Sequence, residues 1–217
     1  MRRDPVDALF CLGDLVAMGP EPSACLALLR ELRPNAVIRG NTDRYLLEGI
    51  FEKPSSKPAA FLAMFRWCWQ ELSSAGRDLL ARLPETERVE VDGFPILLCH
   101  GVPSDDELGL TPESDRLLAA SWLRKHDVKV VVGGHTHIPC LHEVDGGYLV
   151  NDGSIGYPFD GDGRACYWRV RVDRGELVDS EFRRLEYPVE ETILALERRD
   201  VPWRGDLITR LRTARST

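Results

Sequence analysis

The chain has 217 residues, 43% of them hydrophobic and 29% charged, with a formal net charge of −7. That composition excludes wholesale disorder and suits one domain with one sizeable core, while the acidic balance argues against non-specific binding of nucleic acid or an anionic membrane. No stretch approaches the ~18 apolar residues of a membrane span and no two cysteines have C-x-x-C spacing, so the expectation is a cytoplasmic protein whose six cysteines are buried, reduced thiols.

In chain order, residues 8–12 read as a short apolar strand stopped by Gly13-Asp14. Ser23 is placed to cap a helix whose apolar face is Cys25, Leu28, Leu29 and Leu32 and which Pro34 ends. Residues 36–38 form a second short strand, stopped by Gly40-Asn41. Residues 45–84 read as a helical insertion broken at 53–58, in which Phe61, Phe65, Trp69 and Leu72 recur at helical spacing as a packing stripe. Residues 89–91 and 95–99 form a hairpin around Asp92-Gly93, with His100-Gly101 directly after it. A helix over 113–125 precedes 128–132, the most β-like run, which ends on Gly133-Gly134-His135. Strands follow at 140–144, 148–150, 165–172 and 177–185, then a helix over 190–199 and a polar, Arg-rich tail.

Four of the apolar strands end on residues able to hold a metal: Asp14, Asn41, His100 and the pair His135/His137. Open α/β sheets deliver ligands at the carboxyl ends of their strands, so these residues can converge on one crevice. Singly the signals are weak, since a Gly-Asp after a strand is ordinarily just a turn. Two histidines two residues apart in an extended segment, however, can reach two ions ~3.5–4 Å apart. A carboxylate can bridge two cations, an amide oxygen is a hard neutral ligand, and imidazole suits Zn, Fe and Ni. His126 and His142 read as surface residues. Asp105-Asp106-Glu107 reads as a solvated loop bordering the mouth of the crevice, and Asp160-Gly161-Asp162-Gly163 as a tight turn rather than a calcium loop. Arg39 and Arg44 read as surface cations.

The ordered motifs Gly13-Asp14, Gly40-Asn41-Thr42-Asp43, His100-Gly101 and Gly134-His135-Thr136-His137 resemble those of the calcineurin-like metallophosphoesterases. With Asn151-Asp152-Gly153-Ser154-Ile155-Gly156 after them, they look most like the compact bacterial and archaeal branch described as phosphodiesterase-like or diadenosine tetraphosphatase-like. The likeness runs from about residue 8 to 202. It implies an α/β (α+β) fold: a two-layer β-sandwich flanked by helices, one domain with residues 45–84 as an insertion that caps the site. It also implies a dinuclear centre of divalent Mn, Fe, Ni or Zn. Asp14 would bridge the ions; Asn41, His100 and His135 would complete one shell, and His137 would contribute to the other. Asp14, Asn41, His100 and Asp43 would be the catalytic residues. A metal-bound hydroxide would attack a phosphate mono- or diester in a small phosphorylated substrate, nucleotides among the candidates, with no membrane or nucleic-acid partner.

The chain departs from that pattern twice. Family members usually open with a strand ending in Asp-x-His, whereas the twelve residues before Gly13 contain no His. As written, the chain provides for one ion, held by Asp14, Asn41, His100 and His135, and leaves an unpaired edge beside the first strand. A misplaced start or a shortened chain is the expected explanation. Thr42 stands where many members carry the His that protonates the leaving group, oriented by the following Asp, here Asp43. A hydroxyl is a poor general acid near neutral pH, so leaving groups needing little protonation are expected. Asp43 then has either a hydrogen-bonding role in the site or that of a plain turn carboxylate. The alternative function is a non-catalytic or truncated member serving as a protein-binding scaffold.

Overall fold

The computed structural model describes residues 5–216. Near its start β1 (Phe10–Cys11) pairs in parallel with β2 (Ala36–Val37), and α1 (Pro22–Leu32) connects them. A helical run follows: α2 (Asn41–Glu48), a 3-10 turn at Ile50–Glu52, α3 (Ala59–Glu71) and α4 (Ser74–Arg82). Next, β3 (Thr86–Val91) and β4 (Phe94–Cys99) form an antiparallel hairpin. Its turn sets Asp92 at φ 47 and Gly93 at φ 77, the left-handed pair that matches the twist of the flanking strands. After α5 (Arg116–His126), β5 (Val130–Gly133) lies parallel to β4, and β6 (Cys140–Val144) and β7 (Gly147–Asn151) add a second hairpin. These five strands make one mixed sheet in the order β3-β4-β5-β7-β6. A long antiparallel ribbon, β8 (Ala165–Asp173) and β9 (Glu176–Leu185), precedes α6 (Val189–Arg198) and α7 (Arg204–Thr213).

Alternation along the strands sorts the two faces of the main sheet. Ile96, Leu98, Val130, Val132 and Val150 point into a core shared with Leu12, Ala36 and Ile38 around the β1–β2 pair, and with Trp168, Val172, Leu177 and Phe182 of the ribbon. Leu97, Cys99, Val131 and Leu149 point the other way, onto Trp122 and Leu123 of α5. The short pair and the ribbon thus form the second layer of a sandwich with helices outside it, the architecture expected from the sequence. The helical run packs separately: Leu46, Phe51, Phe61, Phe65 and Leu80 join Ile193 and Leu196 of α6 and Leu207 and Leu211 of α7. The aromatic stripe of α3 lies in this core, with Trp69 half-buried at its edge.

Several local expectations change. Ser23 does not cap α1, which begins at Pro22; its hydroxyl donates to the Glu71 carbonyl and ties α1 to α3. The face of α1 that packs carries Pro22, Leu26 and Leu29, whereas Leu28 is 54% exposed and Cys25 and Leu32 are also exposed. Both stripes have helical spacing, so periodicity alone does not choose between them. The Arg-rich tail contains α7, which buries Leu207 and Leu211. His142 is 4% exposed rather than superficial, because β6 alternation turns it inward, where its Nε2 meets the Thr111 carbonyl at 2.8 Å. His126 is half-buried. All six cysteines are free, but only Cys68, Cys99, Cys140 and Cys166 are buried; Cys11 is half-buried and Cys25 exposed. Among the described residues, no helix is long and apolar enough to cross a membrane.

Candidate metal centre

Parallel pairing sets the carboxyl ends of β1 and β2 side by side, and likewise those of β4, β5 and β7. The candidate residues leave the strands there, as α/β topology favours. Asp14 follows β1 after Leu12-Gly13, His100 directly follows β4, and His135 follows β5 after Gly134. Asn41 differs from the expectation: it is the first residue of α2, not a strand end. The rings of His100 and His135 meet edge to face with centroids 5.4 Å apart. Asn41 Oδ1 lies 3.0 Å from His100 Nε2 and 3.3 Å from His135 Nδ1. Asp14 Oδ1 lies 3.4 Å from the same His100 Nε2. Four of the expected ligands are therefore neighbours. His137 stands beside them, its Nδ1 2.5 Å from the Tyr157 carbonyl and its ring stacked on Phe159.

The two loops that carry Asp14 and Asn41 touch only because both contain glycine. A Cβ on Gly40 would fall 2.1 Å from Asp14 Oδ1, and one on Gly13 would fall 2.3 Å from Gly40 N. Thr42 N donates to Asp14 Oδ1 at 3.0 Å, so the positive end of α2 faces that carboxylate. Asp43 is fully buried and accepts from Leu15 N and Gly40 N, each at 3.0 Å. Its partners are backbone amides, one of them that of Gly40 at the N-cap of α2. Each oxygen accepts from one of these amides. Burial, with the charge of Asp14, pushes the Asp43 carboxyl up to about 7.

The segment bearing His135 and His137 is not extended. Both residues adopt left-handed backbone, φ 65 and 60, and Thr136 N bonds back to the Gly134 carbonyl at 2.8 Å. Such residues cost about 1–3 kcal/mol each and persist where surroundings enforce them. Asn151, wholly buried at the end of β7, does so: its Nδ2 donates to the Gly134 carbonyl at 2.5 Å and to Thr136 Oγ1 at 2.7 Å. Thr136 Oγ1 in turn donates to the Leu110 carbonyl at 3.1 Å.

Hydrogen-bond partners indicate which ring nitrogens carry hydrogen. His100 Nδ1 lies 2.7 Å from the Leu12 carbonyl, and a carbonyl only accepts, so Nδ1 carries the hydrogen. The other ring nitrogen, Nε2, faces the oxygens of Asn41 and Asp14. His137 repeats the pattern, giving its Nδ1 hydrogen to Tyr157 and keeping Nε2 as a lone pair. A second proton on His100 would satisfy its own contacts; a divalent cation would satisfy these and engage the other imidazoles too. A ligating imidazole characteristically gives its second N–H to a carbonyl, as both do here. Burial pushes the His135 pKa down, reinforced by His100, and burial pushes His137 down against the pull of Asp14. Carboxylate, amide oxygen and neutral imidazoles suit Mn, Fe, Ni or Zn, so the donor set fits. It is open: among the described residues, no three His, Cys, Asp or Glu side chains close around a single position.

The rim is more ordered than a solvated loop. Arg44 grips Asp106 at 2.7 and 2.8 Å and Glu107 at 2.8 Å, and its guanidinium lies 5.0 Å from the centre of the Tyr45 ring. Burial pushes the Asp106 carboxyl up, but the Arg44 hydrogen bonds outweigh it and hold it below the usual range. The Tyr45 phenol meets both Glu107 and the Asn41 amide. Arg39 pairs with Glu85 at 2.6 Å. Farther off, Asp160 pairs with Arg184 and Asp162 with Arg164, which suits a tight turn. Three contributors went unassigned in the sequence: Asn151, the Tyr157–Phe159 stretch, and the Leu12 carbonyl. Only Asn151 gave a signal, as the head of the Asn-Asp-Gly-Ser motif.

A sequence model of the calcineurin-like phosphoesterase superfamily domain matches residues 1–175. An uncharacterized protein of Methanocaldococcus jannaschii is 26% identical over 225 residues, which cover 93% of this chain and 85% of that protein. The crystal structure of a metallophosphoesterase from Sphaerobacter thermophilus is 26% identical with TM-score 0.76, covering 97% of this chain and 89% of its own. A hypothetical protein from Pyrococcus horikoshii OT3 shares the fold at TM-score 0.83 and 20% identity, covering 95% and 85%. The matched span takes in Asp14, Asn41, His100, His135 and His137 together with the five-stranded sheet and the β1–β2 pair, and on that footing the chain belongs to the calcineurin-like phosphoesterase superfamily.

Proposed function

We propose that this protein is a metal-dependent phosphoesterase that hydrolyses phosphate mono- or diesters of small molecules, nucleotides among them. The observation that carries the reading is the His100 ring: its Nδ1 hydrogen is given to Leu12, and its Nε2 faces Asp14 Oδ1 and Asn41 Oδ1, with the His135 ring edge to face beside it. Membership of a hydrolase superfamily that generally uses divalent metals supports it.

Asp14, Asn41, His100 and His135 would hold a Mn, Fe, Ni or Zn ion, with His137 directed to a second. When bound, the cation supplies Lewis acidity, which neutralises charge on phosphoryl oxygens and lowers the pKa of water towards neutrality. The chain's own part is preorganisation. Thr42 N and the N-terminus of α2 hold the Asp14 carboxylate, Asp43 clasps the Asp14 and Asn41 loops together, and Leu12 fixes the tautomer of His100. No imidazole stands at position 42, so esters with acidic leaving groups fit this site best. The helical segment 45–84 would border the site and choose the substrate, with Tyr45 and the Arg44–Asp106 pair at its edge. A cytoplasmic setting is part of the proposal, supported by six cysteines without a disulfide.

The test is hydrolysis of p-nitrophenyl phosphate and bis(p-nitrophenyl) phosphate by chelator-stripped protein, with and without Mn²⁺, Ni²⁺ or Zn²⁺. Activity should return with metal and be lost in His100→Ala at unchanged circular dichroism. Equal activity in His100→Ala, or none with any of these metals on either ester, would overturn the reading.

A further inference from the structure

One short segment holds His137 in three ways. The Tyr157 carbonyl takes the Nδ1 hydrogen at 2.5 Å, and the Phe159 ring stacks on the imidazole with centroids 4.7 Å apart and planes 22° apart. Phe159 N also donates to the His137 carbonyl at 3.1 Å. The segment is itself braced, since Tyr157 N donates to Ser154 Oγ at 3.0 Å. Behind it stands α7. The Arg210 guanidinium lies 5.7 Å from the centre of the Phe159 ring and 4.6 Å from that of Trp203, and Trp203 meets Phe61 of α3 edge to face at 5.1 Å. Trp203 and Arg210 lie beyond residue 175, where the family match ends.

We propose that Phe159, backed by Arg210, is a positioning residue that locks His137 as the Nδ1–H tautomer with Nε2 presented to a divalent cation. This rests on reading His137 as a metal ligand. The need for a clamp follows from the backbone. His137 sits at φ 60 in a loop, so no flanking strand fixes its side chain. One hydrogen bond leaves the ring free to tilt about that bond, and turning the ring over exchanges Nδ1 for a carbon. The stacked Phe159 ring removes both motions. Arg210 over the same ring adds a cation–π contact that holds Phe159 in place, so the clamp extends to the C-terminal helix and, through Trp203, to α3.

The test begins without metal. ¹⁵N spectra of histidine-labelled, chelator-stripped protein report each ring's tautomer, with His137 assigned through His137→Gln. Wild type should show one Nδ1–H tautomer at His137. Phe159→Leu should show averaged ring-nitrogen shifts there and should weaken Mn²⁺ binding, read by calorimetry, by about 10–100-fold, the usual cost of losing a partner that orients a ligand. Phe159→Tyr keeps a flat ring and should restore both readouts; Arg210→Met should shift them in the same direction by less. A single Nδ1–H tautomer persisting in Phe159→Leu overturns the clamp, as does Phe159→Tyr behaving like Phe159→Leu. Should Phe159→Leu not fold, an unmixed tautomer in Arg210→Met overturns it. A wild type that binds no Mn²⁺ while Phe159→Leu still mixes tautomers leaves the clamp standing and removes the metal reading.

Discussion

At the scale of single residues, the loops around Asp14 are set by contacts that admit little substitution. Gly40 has an ordinary backbone, φ −87, so what excludes a side chain there is the Asp14 carboxylate. Gly40→Ala must separate the two loops, and the expected loss is about 1–3 kcal/mol in urea denaturation, as for other overpacked sites. Asp43→Asn changes no volume but turns an acceptor into an amide N–H that faces Leu15 N or Gly40 N. Leaving one buried donor unpaired should cost about 1–3 kcal/mol by the same measurement. Asp152, next to Asn151, gives a pH prediction. Burial pushes its carboxyl from 3.8 up to about 7 in the folded chain. Between those values the folded state binds the proton and the unfolded state does not, so this group makes stability fall as pH rises from about 4 to 7. Asp152→Asn removes that proton, and melting temperatures taken across this range should decline less steeply than in wild type.

At the scale of elements, much of the order was legible because it rests on short-range patterns. Asp92-Gly93 announced its hairpin, and residues 128–132 announced β5, since β-branched runs suit a strand covered on both faces. The parts that were not legible depend on what an element packs against. Leu28 and Leu32 of α1 have the same spacing as the residues that do pack, and the choice is made by α3 and its neighbours. α7 offers few apolar positions among its arginines, yet Leu207 is wholly buried with Leu196 and Ile193 of α6 in the same core. Leu207→Ala should cost about 2–5 kcal/mol, the range for large-to-small changes in a core, measured by chemical denaturation. A loss within 0.5 kcal/mol would show α7 to be a loosely attached tail. The candidate site was legible as a set of residue types after the strands, with Asn41 opening α2 rather than ending one. Its conformation was not: the left-handed turns at Asp14, His135 and His137 follow from Gly40, Asn151 and Tyr157, which lie far from them in the chain.

For the whole molecule, the site bridges the two layers of the sandwich. Asp14 comes from the loop after β1 in one layer, and His100 and His135 come from the ends of β4 and β5 in the other. A cation held by both would tie the layers together, and anything that binds only the folded state stabilises it. At about 100 times its dissociation constant a bound ion adds roughly 2.7 kcal/mol, so Mn²⁺ should raise the melting temperature of wild type but not of His100→Ala. The role proposed for these residues is cation binding, and calorimetric titration of Mn²⁺ into chelator-stripped protein measures that directly. Wild type should give a saturable isotherm that disappears in both Asp14→Asn and His100→Ala; the same isotherm in all three proteins, or none in wild type, would contradict the metal centre.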